Sequence, residues 1–142
     1  MQVTVLAIGK VREAPARALV DDYRGRLRRY VRAEELEVKD AAALARAVPA
    51  DAIVVALEVW GRGLSSEEFA QRLESWGTTG KGHVVFLIGG AEGIPKEVSR
   101  RASFHLSLST LTLPHRLARI LLFEQLYRAM TILRGEPYAR EG

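Results

Sequence analysis

The sequence predicts an α/β protein, with a parallel sheet of five or six strands and helices on both faces. Five short apolar stretches alternate along the chain with five segments whose apolar residues recur at helical spacing. Such alternation is typical of parallel strands joined by helical crossovers. Two of the stretches, Asp51–Glu58 and His83–Gly89, are apolar at nearly every inner position, as expected for central strands buried on both faces.

Length and composition fit a single domain over residues 1–142. The chain has 142 residues, 48% of them hydrophobic, which is enough for one substantial core. No cysteine is present, so disulfides, thiolate metal sites and a cysteine nucleophile are excluded. The apolar run Val3–Ile8 is too short for a signal-peptide core, and no run approaches membrane-spanning length. The expected location is therefore the cytoplasm.

The net charge of +4 comes almost wholly from arginine. Between Lys10 and Arg32 the chain carries eight basic residues against three acidic ones. The residues alone leave two interpretations open, a solvated helix face or a surface that contacts phosphates. Because the planar guanidinium suits phosphate, RNA is a reasonable partner.

In the first half of the chain, a strand over Val3–Ile8 ends at Gly9. A helix follows, then a short strand in which Leu36 and Val38 alternate with charged residues, and then an alanine-rich helix over Ala41–Ala47. The first helix has an apolar stripe formed by Leu19, Tyr23, Leu27 and Tyr30.

In the second half, the central strand that ends at Glu58 is followed by a turn over Trp60–Leu64. Ser65 and Glu68 match a helix capping box, and the helix that they begin buries Phe69, Leu73 and Trp76. After the second central strand, Pro95 suits the start of a short helix that ends at Arg101. A last strand over Phe104–Leu108 leads to a long helix that begins near His115.

Three loops at predicted strand ends are the candidate ligand site, because parallel α/β sheets bind ligands at the carboxyl ends of their strands. A dinucleotide fingerprint would follow the first strand, where only Gly9 occurs, and LIGGAEG lacks the Gly-Lys-Ser/Thr ending of a phosphate-binding loop. Leucine, glycine and hydroxyl side chains suit a neutral, amphipathic ligand. The loops have the sequences LEVWGRG from Leu57, GGAEG from Gly89 and STLTLP from Ser109.

The last helix carries two charges on an apolar face. Glu124 and Arg128 lie four residues apart and share that face with Leu117 and Leu121. They either pair with each other or are presented to a ligand. His115, next to Pro114, fits a helix-entry residue or a base.

Several motifs together resemble the RlmH family of SPOUT, or α/β-knot, methyltransferases. They are LIGGAEG, LSLSTLTLPH, EQLYRA, LSSEEFA, the early AxG and the ending PY-x-RE, in family order over nearly the whole chain. The family methylates N3 of a pseudouridine in large-subunit ribosomal RNA. The resemblance implies a C-terminal trefoil knot, which few proteins have, a homodimer and a ribosomal substrate.

Matched by motif, the resemblance implies bound S-adenosylmethionine and no metal. The cofactor would contact Leu57, Gly89, Gly90, Ser109, Thr110, Leu111, Thr112, Leu113 and Pro114. Glu124 would accept the imide proton, or pair with Arg128 to stiffen the helix. Arg128 and Arg140 would hold phosphates or stabilise developing charge, and Tyr138 would stack on the flipped base.

The tail from Pro137 to Gly142 is expected to reach the partner's cofactor site. Two positions depart from the family pattern: Ala139 replaces a usual His, and Glu58 replaces a usual Asp. Without that His, its role falls to Glu124, to water or to nothing. Two other functions stay open, a non-catalytic factor that binds or assembles ribosomes and a small-molecule enzyme that uses the same loops.

Overall fold

The structure is a computed structural model that describes residues 1–79 and 81–140. The strands of this part of the chain are β1 (Gln2–Ile8), β2 (Arg32–Val38), β3 (Ile53–Gly63), β4 (His83–Ile88) and β5 (Phe104–Ser107). Its helices are α1 (Ala14–Leu27), α2 (Ala41–Ala47), α3 (Ser66–Thr79), α4 (Lys96–Ser99), α5 (His115–Leu133) and the 3₁₀ helix η1 (Pro137–Arg140). None of the helices described here is both long and apolar enough to cross a membrane.

The five strands form one sheet in the order β2-β1-β4-β3-β5, and every pairing is parallel. The predicted parallel α/β architecture is therefore confirmed, with five strands. β1 and β4 are paired over six residues, from Gln2 with His83 to Ala7 with Ile88. Because parallel strands end at one edge of a sheet, all the loops that follow these strands leave from that edge.

Helices cover both faces of the sheet, as the sequence predicts. On one face α1, α3 and α5 pack over Val84, Phe86 and Ile88 of β4, and on the other α2 and α4 pack over Val85 and Leu87. Since successive side chains of a strand point to opposite faces, this division makes β4 buried on both sides. The apolar run of β4 is therefore explained, as predicted, by burial on both faces.

Two predicted apolar stripes are wrong in detail. In α1 the predicted stripe is wrong only at Leu19, which is 45% exposed while Val20 is buried; Leu27 is buried, and Tyr23 and Tyr30 pack against the core. In β2, Leu36 is 46% exposed, and the Glu35 side chain is only 6% exposed. The reason is a set of ion pairs beneath β2, described below, that places carboxylates on the inner face of the strand.

The expected turn over Trp60–Leu64 is also wrong, because β3 continues to Gly63. Leu57 and Arg62 both pair with Leu106 of β5, so the intervening residues form an irregular excursion within the strand. A side chain at Gly61 would put its Cβ 2.6 Å from the His105 carbonyl oxygen. Glycine here lets the strand close up against β5 after the excursion.

The capping box at the start of α3 is confirmed. The Glu68 amide donates to Ser65 Oγ at 3.0 Å, and the Ser65 amide donates to Glu68 Oε1 at 2.9 Å. These two bonds satisfy amides that the helix itself cannot pair. They fix where α3 leaves the end of β3.

Candidate active site

The three predicted ligand loops begin side by side. β3 lies between β4 and β5, and Ala56 of β3 pairs with Leu87 while Leu57 pairs with Leu106. Adjacent strands are about 4.8 Å apart, so the outer two loops start within roughly 10 Å of each other. Leu57, where β3 breaks its regular pairing with β5, thus lies on the same side of the sheet as Gly89 and the loop from Ser109.

The glycines after β4 form a tight turn whose backbone segments touch. A Cβ on Gly89 would lie 2.6 Å from the Gly93 carbonyl oxygen, and one on Gly90 would lie 3.2 Å from the Ile8 side chain. The Gly93 amide donates to the Gly90 carbonyl at 2.9 Å, and Gly93 has φ +79°. Glycine is therefore required for the turn itself, whatever else the loop binds.

The loop after β5 is shaped by two hydroxyl groups. Ser107 Oγ donates to the Ser109 carbonyl at 3.0 Å, and Ser109 Oγ accepts from the Leu111 amide at 2.9 Å. Thr110, Thr112 and Pro114 are exposed, and Leu111 is 73% exposed. Unlike a core leucine, Leu111 is available to cover a ligand.

A cavity of 250 Å³ adjoins the start of this loop. It is lined by Leu64–Ser66 and Phe69, by Leu106–Leu108, and by Leu121 and Gln125 of α5. Leu57 and Gly89 do not line it. Inside it, Ser66 Oγ donates to Gln125 Oε1 at 2.8 Å. Sequence reasoning missed this cavity, because Ser66 and Gln125 are 59 residues apart.

Three of the four predicted catalytic residues form one cluster. Glu124 Oε2 accepts from Arg128 Nε at 3.0 Å, from Arg128 Nη2 at 2.8 Å and from the Tyr138 hydroxyl at 2.9 Å. The predicted Glu124–Arg128 ion pair is confirmed. The hydrogen bond to Glu124 raises the pKa of Arg128, and burial, with the bond to Glu124, raises the pKa of Tyr138. The tyrosine hydroxyl therefore keeps its proton at neutral pH.

The fourth residue, Arg140, is exposed at the end of η1. The 3₁₀ helix folds back on α5 of its own chain, with the Tyr138 and Tyr127 rings 4.5 Å apart. Glu124 is nine residues into α5, about 14 Å along its axis from the loop that ends at Pro114. Within one chain, therefore, the cluster of Glu124, Arg128 and Tyr138 does not lie next to that loop. Residues 141 and 142 of the predicted tail lie outside the described residues.

Most of the arginines near α1 are engaged in ion pairs. Arg17 pairs with Glu35, and Arg26 pairs with Asp22. Glu34 lies within 4.0 Å of three guanidinium groups, those of Arg24, Arg28 and Arg32. These contacts favour the interpretation of this surface as a solvated, ion-paired helix face.

A buried ion cluster lies under the start of α5, and sequence reasoning missed it. Arg119 is 0% exposed, and its Nη1 donates to Glu35 Oε2 at 2.6 Å and to Glu37 Oε2 at 2.7 Å. Burial opposes the charge on Glu37, but bonds from the Val11 amide and Arg119 outweigh it and lower the pKa of Glu37. Burial and nearby Arg119 lower the pKa of His115.

The remaining two histidines have structural partners. His83 Nε2 lies 2.9 Å from Thr4 Oγ1, across the β1–β4 pairing. His105 Nδ1 lies 2.8 Å from Glu58 Oε2, the oxygen that also accepts from Ser99 Oγ at 2.9 Å. The Glu58 contacts hold the excursion of β3 against β5. Glu58 thus has a local structural role.

A parallel sheet with loops from three neighbouring strands at one edge defines a class of α/β ligand-binding fold, and comparison with known proteins identifies the family. The family model described as "Predicted SPOUT methyltransferase" matches residues 1–139. The chain belongs to this family of SPOUT methyltransferases.

Curated relatives resemble the chain over its full length. "Ribosomal RNA large subunit methyltransferase H" of Sorangium cellulosum is 55% identical over 145 residues, which cover 98% of this chain and 99% of the relative. The protein of the same name from Acetivibrio thermocellus is 40% identical over 159 residues, covering 99% and 100% of the two chains.

Solved structures share the fold at low sequence identity. A probable methylase family protein from Haemophilus influenzae has a TM-score of 0.63 and 11% identity, over 96% of this chain and 69% of the other. The ribosomal RNA small subunit methyltransferase E of Neisseria gonorrhoeae, solved with S-adenosyl methionine bound, has a TM-score of 0.52 and 13% identity, over 94% and 66%. At these identities the likeness concerns the fold.

Proposed function

We propose that this protein is a cytoplasmic, S-adenosylmethionine-dependent methyltransferase that acts on large-subunit ribosomal RNA. The observation that carries the proposal is the 55% identity, over 98% of the chain, to a relative named for that activity. We further propose N3 of a pseudouridine as the acceptor, in the assembled ribosome. A chain of 142 residues has little surface with which to enclose free RNA, and a folded particle would present the nucleotide ready-positioned.

The residues at the sheet edge fit the cofactor. We propose that Leu57, Gly89 and Gly90 contact it together with the loop whose members are Ser109, Thr110, Leu111, Thr112, Leu113 and Pro114. Gly89 and Gly90 carry no side chain that could obstruct a ligand, and Leu111, in the loop that starts two strands away in the sheet, is exposed. Backbone groups can bond the polar edges of adenine, while leucines cover its apolar faces.

The bound cofactor would supply an electrophilic methyl group. We propose that Glu124 accepts the proton that N3 loses when it takes the methyl group. Three hydrogen bonds from Arg128 and Tyr138 orient the carboxylate. Before Glu124 Oε2 can take a proton, the Tyr138 hydroxyl must either move away or rotate, so that it accepts a hydrogen bond from the protonated carboxyl group instead of donating one. Tyr138 would then be free to stack on the base, and Arg128 to stabilise charge on the base carbonyls.

We propose that the working form is a homodimer. Leu117 and Leu121, 43% and 40% exposed, continue the α5 face that carries Glu124 and Arg128. Two exposed leucines one turn apart on a helix support a protein contact at this face. A second copy on this face would also bring another loop edge toward Glu124, which its own chain holds about 14 Å from the Pro114 end of the loop. Arg140 and Tyr138 would complete the partner's site, next to a C-terminal trefoil knot.

Mass spectrometry of nuclease digests tests this function directly. Ribosomes lacking the modification are incubated with the protein and methyl-labelled S-adenosylmethionine, and one label is expected on a single large-subunit pseudouridine. Isolated large-subunit RNA, incubated in parallel, is expected to be a poor acceptor. Label on no nucleotide, with the cofactor bound in calorimetry, would contradict the proposed acceptor.

Ala139 favours a second candidate, a ribosome-binding or assembly factor that retains the fold. The position usually held by His carries no ionisable group here. Such a factor would bind ribosomes in a salt-sensitive manner and transfer no methyl group in the digest experiment.

A further inference from the structure

The start of α5 lacks the usual local stabilisers of a helix N-terminus. Pro114, at the N-cap, makes no side-chain capping bond, and the first turn contains no acidic residue. Arg116 and Arg119 instead place positive charge near the positive end of the helix dipole, which is unfavourable. The position of this helix end therefore depends on contacts from elsewhere in the fold.

Those contacts come from the carboxyl ends of β1 and β2. Arg119 Nη1 donates to Glu35 and Glu37 of β2, and Nη2 donates to the Gly9 carbonyl at 3.2 Å. The carboxylates that the first turn of α5 lacks are thus supplied by β2. Gly9, with φ +93°, also faces His115, whose Cε1 would lie 3.8 Å from a Cβ at that position.

The cluster is balanced in charge and extends to a second helix. Glu35 accepts from Arg17 of α1 at 2.7 to 3.0 Å, so two arginines meet two carboxylates. Glu37 Oε2 also accepts from the Val11 amide at 2.9 Å. A buried charge that loses its partner is costly. Arg119 is therefore held in one position, because its guanidinium bonds both to the glutamates of β2 and to the Gly9 carbonyl that follows β1.

Arg119 lies five residues after Pro114, where the loop from Ser109 ends. The loop's other end is fixed by β5, which stops at Ser107. Between these ends the loop is exposed, and Ser109 makes the side-chain bond that shapes it. The path of the loop is therefore determined largely by where its two ends are held.

We propose that Arg119 is a positioning residue for S-adenosylmethionine, one that acts through the loop over residues 109–114. The inference rests on the proposed function, which assigns the cofactor to that loop. Arg119 does not touch the cofactor. It ties the first turn of α5 to the ends of β1 and β2, and so sets the distance between this loop and the glycine turn that packs on Ile8 of β1.

A matched pair of variants separates positioning from stability. Arg119→Lys and Arg17→Lys make the same chemical change to two arginines that share Glu35, but only Arg119 is on the helix that follows the loop. Lysine keeps the charge and loses the planar fork. Both variants are expected to lower the melting temperature.

Only Arg119→Lys is expected to weaken binding of the cofactor. Its Kd for S-adenosylmethionine in calorimetry, and its KM, should rise about tenfold, since small displacements of a binding group cost orientation. The kcat at saturating cofactor should stay within about threefold of wild type, because the transferring groups are untouched. Amide hydrogen exchange over residues 110–113 of the cofactor-free protein should be faster in Arg119→Lys alone.

A folded Arg119→Lys protein with wild-type Kd, or an equal loss of affinity in Arg17→Lys, would overturn the inference. If Arg119→Lys does not fold, the Kd of Glu37→Gln for S-adenosylmethionine tests the inference instead. This variant removes one of the two carboxylates that hold Arg119 and keeps the guanidinium. Wild-type protein that binds no S-adenosylmethionine would count against the proposed function instead. Wild-type affinity in Leu111→Ala and Leu113→Ala would count against the loop assignment.

Discussion

At the scale of single residues, the ion pair of Glu124 and the proton-accepting role proposed for it are compatible, although the sequence left them as alternatives. Its ion pair with Arg128 is present, at 2.8 Å, and we propose the same carboxylate as the proton acceptor. A carboxylate can do both in turn, because hydrogen bonds that orient it in the resting state also fix the geometry in which it acts. The pair therefore does not argue against catalysis.

Glu124→Gln is expected to slow methyl transfer by about 10²- to 10⁴-fold, the usual contribution of a general base. The amide still accepts hydrogen bonds from Arg128 and Tyr138, so cofactor affinity should change little. Single-turnover transfer measures the rate, with Glu74→Gln, an exposed carboxylate on α3, as the matched control. An unchanged rate would leave Glu124 with a purely structural role.

The buried position of Arg119 was detectable in the sequence. Leu122, Phe123 and Leu126 follow it at three, four and seven residues, the spacing of one helix face, and all three are fully buried. Continued backward, that face begins at Arg119. What the sequence lacks is the partner, because Glu35 is 84 residues away and no local pattern connects them.

At the scale of elements, η1 is the segment whose role depends most on its surroundings. In one chain it packs on α5 through Tyr138, with Tyr127 on one side and the Arg128 guanidinium 5.0 Å from the ring centre. Most side chains of this segment are exposed or half-buried. Its removal should therefore cost the fold little.

Arg140→Ala, or deletion from Tyr138 onward, is expected to lower kcat by about 10²-fold or more, as for other groups that stabilise developing charge. Cofactor affinity and melting temperature should stay close to wild type. Arg134→Ala, which removes an exposed arginine six residues earlier, at the end of α5, is the matched control. A loss of stability like that of Leu126→Ala, about 2 to 5 kcal/mol for a core leucine, would contradict a catalytic role for the tail.

The order and type of the elements could be predicted from sequence because each has a local cause. The double-sided burial of β4 follows from its unbroken apolar run, and the start of α3 from Ser65 and Glu68. The end of β3 could not be predicted in this way. Glycines suggest a turn, but contact with β5 keeps Gly61 in the strand, and that contact is set by the tertiary fold.

At the scale of the whole molecule, the proposed site is divided between two parts of the surface. The loops gather at the carboxyl edge of the sheet, whereas Glu124 and Tyr138 lie further along α5. The loop residues and the catalytic residues could be named from motifs, but their separation within one chain could not. Motif spacing follows the sequence, and it carries no information on which chain completes a site.

Mixing two inactive variants tests the composite site. If the loop of one subunit and Arg140 of the other form one site, then a mixed dimer of Leu111→Glu, which is expected to block the exposed cofactor loop, and Arg140→Ala has one intact site of two, whereas it has none if loop and Arg140 come from one subunit. An equal mixture should recover about a quarter of wild-type activity, since half of the dimers are mixed. Leu121→Glu in both variants should prevent the recovery by disrupting the dimer face. No recovery, with mixed dimers demonstrated by mass, would contradict the proposed dimer site.

The carboxylates beneath β2 also bear on how the sheet reaches its correct alignment. β2 is an edge strand, and its inner face presents Glu35 and Glu37, while Leu36 points outward. The apolar residues of β2 do not by themselves fix its register, because Ala33 is buried on the face of the glutamates while Val38 packs on the opposite face, and a slip by one residue would exchange the two faces. Arg119 makes that slip unfavourable, because it would leave a guanidinium stranded in the interior. The alignment of this edge is therefore favoured by charge, and replacing Arg119 with a neutral residue is expected to increase the fraction of aggregated chains on refolding, measured by light scattering.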